Sequence, residues 1–447
     1  MLYTFRKGLL CGLAIHFFVF LTTVFAPAQE RRSLRLEELW HMADSNSKAI
    51  AARMAAVEAA QQEVEAARRN MLPGIQLSAS VGYLGNGNGW GRDSSYHFTV
   101  EMPHFSSSFG VAASQVVYAG GALRRAVALA QMGKSLAEHQ LRQTQQDVRF
   151  RLTGYFLDLY RLARQVQVYD SNIALTQKLI ENICSRQEQG AALRNDITRY
   201  ELQLSALQLQ RLSLSNDMLI INRRITTLIG IGPEVTIDPE MSMDIVSSNS
   251  IMTEDQYRQM AYQRSPGLLL AQTGLDMSRS QEALLKAEGL PYVAVVAQDN
   301  LNGPVTIDIQ PYDVNYNFWY AGVAIRYDLS SLYKNGRKVD AARWRTRQKS
   351  LDLSAAQDEI DNAIHEAYVR LGEAATSLLS KEKNLELANM NYSVIENRYR
   401  NELALLTDMI DASNTKLAAE LDLVSARIVW VYSHYKLFYL AGSVGWE

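Results

Sequence analysis

The sequence predicts an α+β protein built as two copies of one unit, each joining a long antiparallel helical hairpin to a β-hairpin. Three observations predict it. A stretch occurs twice in the same register: Met42-Ala43 to Leu72-Pro73, then Ile75, Leu77 and Ala79, and Met260-Ala261 to Leu290-Pro291, then Val293, Val295 and Ala297. Each copy reads as a helix of about thirty residues halted at a Leu-Pro step, because proline cannot continue a helix and pushes its predecessor towards extended backbone. The nine prolines leave two free tracts, between Pro103 and Pro233 and after Pro311, long enough for helical rods. Apolar residues then alternate after each Leu-Pro step, the period of a strand with two unlike faces.

The N-terminus has Arg6-Lys7, an apolar run from Gly8 to Phe25 and then Ala26-Pro27-Ala28, the three parts of a secretory signal. Residues 1–28 are expected to be removed, an uncleaved anchor being the alternative. Losing Arg6 and Lys7 and no acid moves the net charge from −2 to −4, so nothing argues for nucleic acid as a partner. Cys11 leaves with the signal and Cys184 stays alone, which excludes an intramolecular disulfide.

Residues 29–232 form the first unit. Its opening helix, Leu34 to Met71, is alanine-rich, with Leu39, Met42, Ile50, Met54 and Val57 as apolar positions. A strand hairpin over 75–118 follows: Ile75 to Tyr83 alternates, 85–108 reads as an exposed loop holding part of the strands, and Phe109 to Tyr118 returns to Ala119-Gly120-Gly121. A helical hairpin over 122–228 closes the unit. Ala122 to Arg186 makes a rod of roughly 100 Å at about 1.5 Å per residue, broken at Gln189-Gly190-Ala191-Ala192 and resumed near Asn195. Residues 233–253 read as a connector. The second unit, 254–447, repeats the order: a helix from Gln256 to Gly289, a strand hairpin over 292–329 ending near Asn335-Gly336, and a helical hairpin over 336–441. The stripe Leu353, Ala356, Ile360, Ile364, Ala367, Leu371, Ala374 and Leu378 has the three-and-four spacing of a helix seam. After a break at Arg400 to Leu406, the returning helix carries Ile410, Leu417, Leu421, Val424, Ile428, Val431, Tyr435 and Phe438.

Beyond the signal no stretch reaches the roughly eighteen to twenty apolar residues of a spanning helix, so any contact with a bilayer must be made by strands. Four strands cannot close a membrane barrel, which begins at about eight, and an open edge in lipid leaves backbone groups unsatisfied. Insertion therefore requires oligomers. Three copies supply a twelve-stranded barrel and arrange the long helices as an α-barrel tunnel. A soluble elongated protein whose hairpins pack as a small sandwich is the alternative.

An ordered, duplicated set of steps resembles the TolC-like outer membrane efflux protein family over about Leu34 to Gly442. It comprises Leu72-Pro73, Val117-Tyr118-Ala119-Gly120-Gly121, Gly190 to Asp196 and Leu228-Ile229-Gly230, then Leu290-Pro291, Asn335-Gly336, Thr407 to Ala412 and Leu440-Ala441-Gly442. The resemblance implies a homotrimer in the outer membrane of a Gram-negative bacterium, with a large periplasmic portion docked to a periplasmic adaptor and an inner-membrane pump. It implies an exit duct for efflux or type I secretion. A periplasmic coiled-coil scaffold or adaptor that conducts nothing is the competing function. The chain departs from the family at Asn401-Glu402, where glycine is usual, and at Ala404-Leu405, where a basic residue is usual, which puts an arginine-held gate there in doubt.

Asp408 and Asp411 lie three apart at the start of the last helix and share a face. By the resemblance they form acidic rings at a periplasmic gate; alternatively Thr407 caps the helix and the acids favour its positive end. Tyr399 matches an aromatic gate position or simply ends the apolar stripe. Asp196 with Arg199 makes a secondary site at the other turn. Gly190, Ala191, Glu402 and Ala404 mark the tips expected to meet an adaptor, unless those turns are plain exposed loops. Trp90, Trp319 and neighbouring tyrosines form an interfacial belt or pack within the hairpins. The histidines lack metal-ligand spacing, and no nucleophile, phosphate-loop or dinucleotide motif is present, so neither enzymatic activity nor a cofactor is expected.

Overall fold

A computed structural model describes residues 30–241, 252–306 and 312–443. The expected signal, most of the connector's second half and Pro311 lie outside the described residues. In chain order the elements are β1 (Arg31–Leu34), α1 (Leu36–Asn46), α2 (Lys48–Arg69), β2 (Gly74–Tyr83), β3 (Gly87–Trp90), β4 (His97–Val100), β5 (Phe105–Tyr118), α3 (Ala122–Glu188) and α4 (Arg194–Ile229). There follow β6 (Thr236–Pro239), α5 (Glu254–Arg264), α6 (Pro266–Ala287), β7 (Tyr292–Gly303), β8 (Tyr316–Arg326), α7 (Ser331–Arg400) and α8 (Leu406–Leu440).

Each helix expected to be about thirty residues long is instead two, of 11 and 22 residues in both halves. The break sits at a serine in extended backbone, Ser47 with ψ 121° and Ser265 with ψ 116°. At the second break Pro266 disfavours helical backbone in its predecessor; the first break has no proline to announce it. The glycines that end the halves close against these breaks. Gly230 (φ +71°) lies against Asn46, and Gly442 (φ +79°) lies against the Arg264 carbonyl, where a Cβ would come within 2.6 Å. Asn46 Nδ2 donates to the Ile229 carbonyl at 3.1 Å across the first of these contacts.

The two long helices, α3 (67 residues) and α7 (70 residues), run the length of the molecule. Towards the sheet they pack in the order α2, α3, α6, α7, and towards the far tips in the order α4, α3, α8, α7. The seam stripe on α7 is buried or half-buried throughout, with Ile364, Ala367, Leu371 and Ala374 fully inside. A second layer covers one side of this wall at its waist. There β1 pairs in parallel with β6, so the expected connector contains a strand. Leu39, Trp40, Phe156, Ile225 and Ile237 form the core beneath it, while Tyr257, Ala261, Ile364 and Leu437 form its counterpart in the second half. Trp40 Nε1 reaches Thr153 Oγ1 at 3.2 Å, and Arg149 pairs with Asp44 beside it.

The long strands form one antiparallel sheet in the order β2-β5-β7-β8, with β2 and β8 as free edges. The returning strand begins at Phe105 rather than Phe109, and the expected loop holds the separate β3-β4 hairpin. Helix α7 starts at Ser331 and runs through Asn335-Gly336, where a break was expected. Asp328 Oδ1 accepts from the Ser330 N–H at 2.9 Å to start that helix, and Asn335 Nδ2 donates to the Leu285 carbonyl at 2.8 Å, so no left-handed residue is needed.

Up to a register shift between Val116 and Tyr118 of β5, the pairing registers put residues of like parity on one face. The odd face holds Ile75, Leu77, Val81, Phe109, Val111, Val295, Trp319, Val323 and Ile325, several of them more than two-thirds exposed (Leu77 82%, Trp319 77%, Ile325 73%). Asp299 interrupts this face and accepts from Asn317 Nδ2 at 2.8 Å. The even face reads in three cross-strand rows: Ser80, Ser108, Asn302, Tyr316; Ser78, Gly110, Asn300, Phe318; Gln76, Ala112, Gln298, Tyr320. Among the described residues no helix is long and apolar enough to cross a membrane.

Candidate functional site

The candidate gate residues gather at the end of the rods farthest from the sheet, where α3 turns into α4 and α7 into α8. At the first turn the Gly190 and Ala191 N–H groups donate to the Gln187 and Arg186 carbonyls at 3.0 and 2.8 Å, and Gly190 has φ +75°. At the second, Glu402 and Leu403 donate to Tyr399 and Arg398 at 3.1 and 2.8 Å, and Glu402 has φ +62°. Backbone of that hand satisfies the last orphan carbonyls of a helix and favours glycine. The second turn therefore keeps the glycine-type shape without a glycine.

The following helices start alike. Leu193 N–H donates to Asp196 Oδ2 at 3.1 Å and Leu405 N–H to Asp408 Oδ2 at 3.0 Å. Each acid thus satisfies the backbone group three residues before it and sits where the helix end is positive. Thr407 does not cap α8, because Leu405 occupies the capping position. Asp408 and Asp411 are both exposed, one turn apart, and Arg199 is exposed where the first half lacks the second acid. Ala404 is half-buried, while Gly190 and Ala191 are exposed.

An ion pair joins the two turns. Arg186 Nη2 donates to Glu402 Oε1 at 2.9 Å, and its guanidinium stands 5.7 Å from the Tyr399 ring centre. So an arginine does meet a carboxylate at the tip, but it comes from the last turn of α3 rather than from the position after Glu402. Sequence reasoning missed Arg186 because 216 residues separate the partners. The available signal was a basic residue in the last turn of one helix opposite an acid at the corresponding turn of the other.

Beneath this tie lies an aromatic floor. Tyr200, Ile183, Ile197 and Leu406 are buried together, with Tyr399 packed against them, and Tyr392, Met409 and Ala412 form the adjoining cluster. Burial pushes the Tyr392 hydroxyl up to about 12 and raises those of Tyr200 and Tyr399, the nearby Arg186 partly offsetting the rise at Tyr399. Lower down, Gln203 Nε2 donates to Asn414 Oδ1 at 3.1 Å, tying α4 to α8. Among the described residues no cluster of His, Cys, Asp and Glu is arranged to hold a metal ion.

The family model described as outer membrane efflux protein matches residues 39–231. Outer membrane efflux protein BepC of Brucella suis biovar 1 (strain 1330) is 20% identical over 344 residues, spanning 75% of this chain and 72% of its own. The proteases secretion protein PrtF of Dickeya chrysanthemi is 20% identical over 436 residues, spanning 92% and 89%. The crystal structure of the outer membrane protein VceC from Vibrio cholerae superposes with a TM-score of 0.76 at 16% identity, covering 92% of this chain and 97% of that one, so the fold is shared.

Proposed function

We propose that this chain, which belongs to the TolC-like outer membrane efflux protein family, is an outer-membrane exit duct that passively conducts cargo across the periplasm and outer membrane. The observation that carries this reading is the four-stranded sheet, exposed and apolar on one face, lined by amides, serines and aromatic rings on the other and open at both edges. Such a surface is unfavourable in water and suits lipid only once its edges are paired. Joining β8 of one copy to β2 of the next closes the sheet, and three copies supply twelve strands, a number compatible with membrane barrels. A periplasmic scaffold that conducts nothing has no use for a lipid-facing face.

The helical edges match that closure. Helix α4 exposes Leu202, Leu209, Leu212 and Leu219 along one flank, and α7 exposes Leu379, Leu387, Met390 and Val394 along the other. Apolar stripes on opposite flanks of the helical wall bury each other when copies close into a ring. The matched helix lengths in the halves support an internal repeat, with 1–28 as a cleaved signal, 29–232 and 254–447 as the units and 233–253 as the joint.

At the far end, Asp408 and Asp411 form two acidic rings where the tunnel narrows, with Asp196 and Arg199 in a secondary position. Acidic rings at a constriction favour cations. The Arg186 to Glu402 tie over Tyr399 holds the turns together. Gly190, Ala191, Glu402 and Ala404 face the periplasmic adaptor, through which an inner-membrane pump delivers cargo. PrtF is named for protease secretion and BepC for efflux, so both kinds of system are candidate homes. The duct performs no chemistry of its own. Cell fractionation tests the reading: the protein is expected in outer-membrane fractions, where cysteines placed on β2 and β8 crosslink it into covalent trimers. Recovery only in soluble periplasm would sink it.

A further inference from the structure

We propose that the sheet end of the duct is built to pass uncharged, polyhydroxylated chains, that is, glycans or glycan-bearing molecules. This substrate class rests on the exit-duct reading. With the apolar odd face in lipid, the even face lines the bore. There β7 presents an amide at each of three successive rows, Gln298, Asn300 and Asn302, and β8 presents an aromatic ring beside each, Tyr320, Phe318 and Tyr316. The rings form a column along the strand. Tyr316 and Phe318 lie stacked at 5.9 Å, and the absence of a side chain at Gly322 lets the Tyr320 ring lie over it along the sheet.

Aromatic residues that anchor a barrel at the membrane surface point outwards, as Trp319 does on the odd face. This column points inwards and runs with the bore, so anchoring does not explain it. The lining is also nearly free of charge. Among the even-numbered residues of the four strands only Arg326, at the helix-side end of β8, is charged. A neutral lining offers charged cargo neither ion pairs nor repulsion. It does offer sugars both things they need: their C–H faces pack on the negative face of an aromatic ring, and their hydroxyls pair with amides that donate and accept. Ser108 Oγ donates to Asn302 Oδ1 at 2.6 Å, which holds one amide in place at the wall. Closure sets each aromatic column, a slide for sugar rings, beside the glutamine and serines of the next copy's β2, so the slide is completed between protomers.

The test is single trimers in planar bilayers with maltohexaose added at the barrel side. Reversible, concentration-dependent interruptions of the current are expected, which polyethylene glycol of equal mass does not produce at the same concentration. The combined variant Tyr316→Leu, Phe318→Leu, Tyr320→Leu should conduct normally without sugar and need about tenfold more maltohexaose for half-block. If that variant does not assemble, Phe318→Leu alone should need about two- to threefold more. Maltohexaose that never interrupts the current, interrupts it no better than the polymer, or interrupts these variants equally well would overturn the proposal. Trimers that insert and never conduct would remove the duct reading and the slide together.

Discussion

Gly190 at the first tip and Glu402 at the second occupy the same left-handed position, φ +75° and +62°, and at both tips the N–H of this residue and of the next donate to the carbonyls three and five residues back. Leu193 with Asp196 and Leu405 with Asp408 then start the next helices in the same way. Glycine makes such a turn without steric cost, whereas a side chain there costs roughly 1–2 kcal/mol. What Glu402 brings in exchange is a carboxylate aimed at Arg186. The first turn is built for shape alone, and the second accepts strain to place a charge where the two hairpins meet.

Raising the pH should affect both tips at once, because Tyr200 at the start of α4 and Tyr392 and Tyr399 at the end of α7 share one floor. Their hydroxyl pKa values are raised in the folded protein, so the stability they contribute is present below the ordinary tyrosine value near 10 and is lost as pH climbs through their raised values, about 12 for Tyr392. Hydrogen exchange at the tips should accelerate in that window ahead of the waist, and a tip that loosened alone would break the pairing of the two turns. Gly190→Val should destabilise the first turn by about 1–2 kcal/mol, seen as faster local exchange, whereas Glu402→Gly relaxes the backbone of the second. Asp408→Ala should cost about 1 kcal/mol, while Thr407→Ala stays within about 0.5 kcal/mol, since the threonine caps nothing. Smallest is Glu402→Gln. An exposed ion pair contributes about 0.2–1 kcal/mol, so open events of the trimer should become modestly more frequent at low salt and match wild type at about 1 M, where screening removes the difference.

Much of this architecture was legible because long-period patterns leave little choice. The α7 stripe from Leu353 to Leu378 is the buried seam, and Ile75 to Tyr83 is a strand whose odd residues share an exposed apolar face. The breaks at Gln189 to Ala192 and after Arg400 fall where the helices turn. Short features were harder. Ser47 interrupts a good helical pattern without a proline, the β3-β4 hairpin is four residues a side within a glycine-rich stretch, and the pairing of β1 with β6 joins segments some two hundred residues apart. The tip showed the same limit. Asp196 and Asp408 could be placed by helix-start chemistry, but the partner of Glu402 depends on how two hairpins lie side by side. The turn at Asn401-Glu402 looked wrong only because a preference for glycine is a preference in energy, not a prohibition.

Conductance is the decisive measurement for an exit duct. Purified protein added to a planar bilayer should insert as trimers and pass a cation-preferring current, and that preference should weaken when Asp408 and Asp411 are both replaced by alanine. Protein that inserts as trimers yet passes no current, or whose cation preference ignores both aspartates, would contradict it.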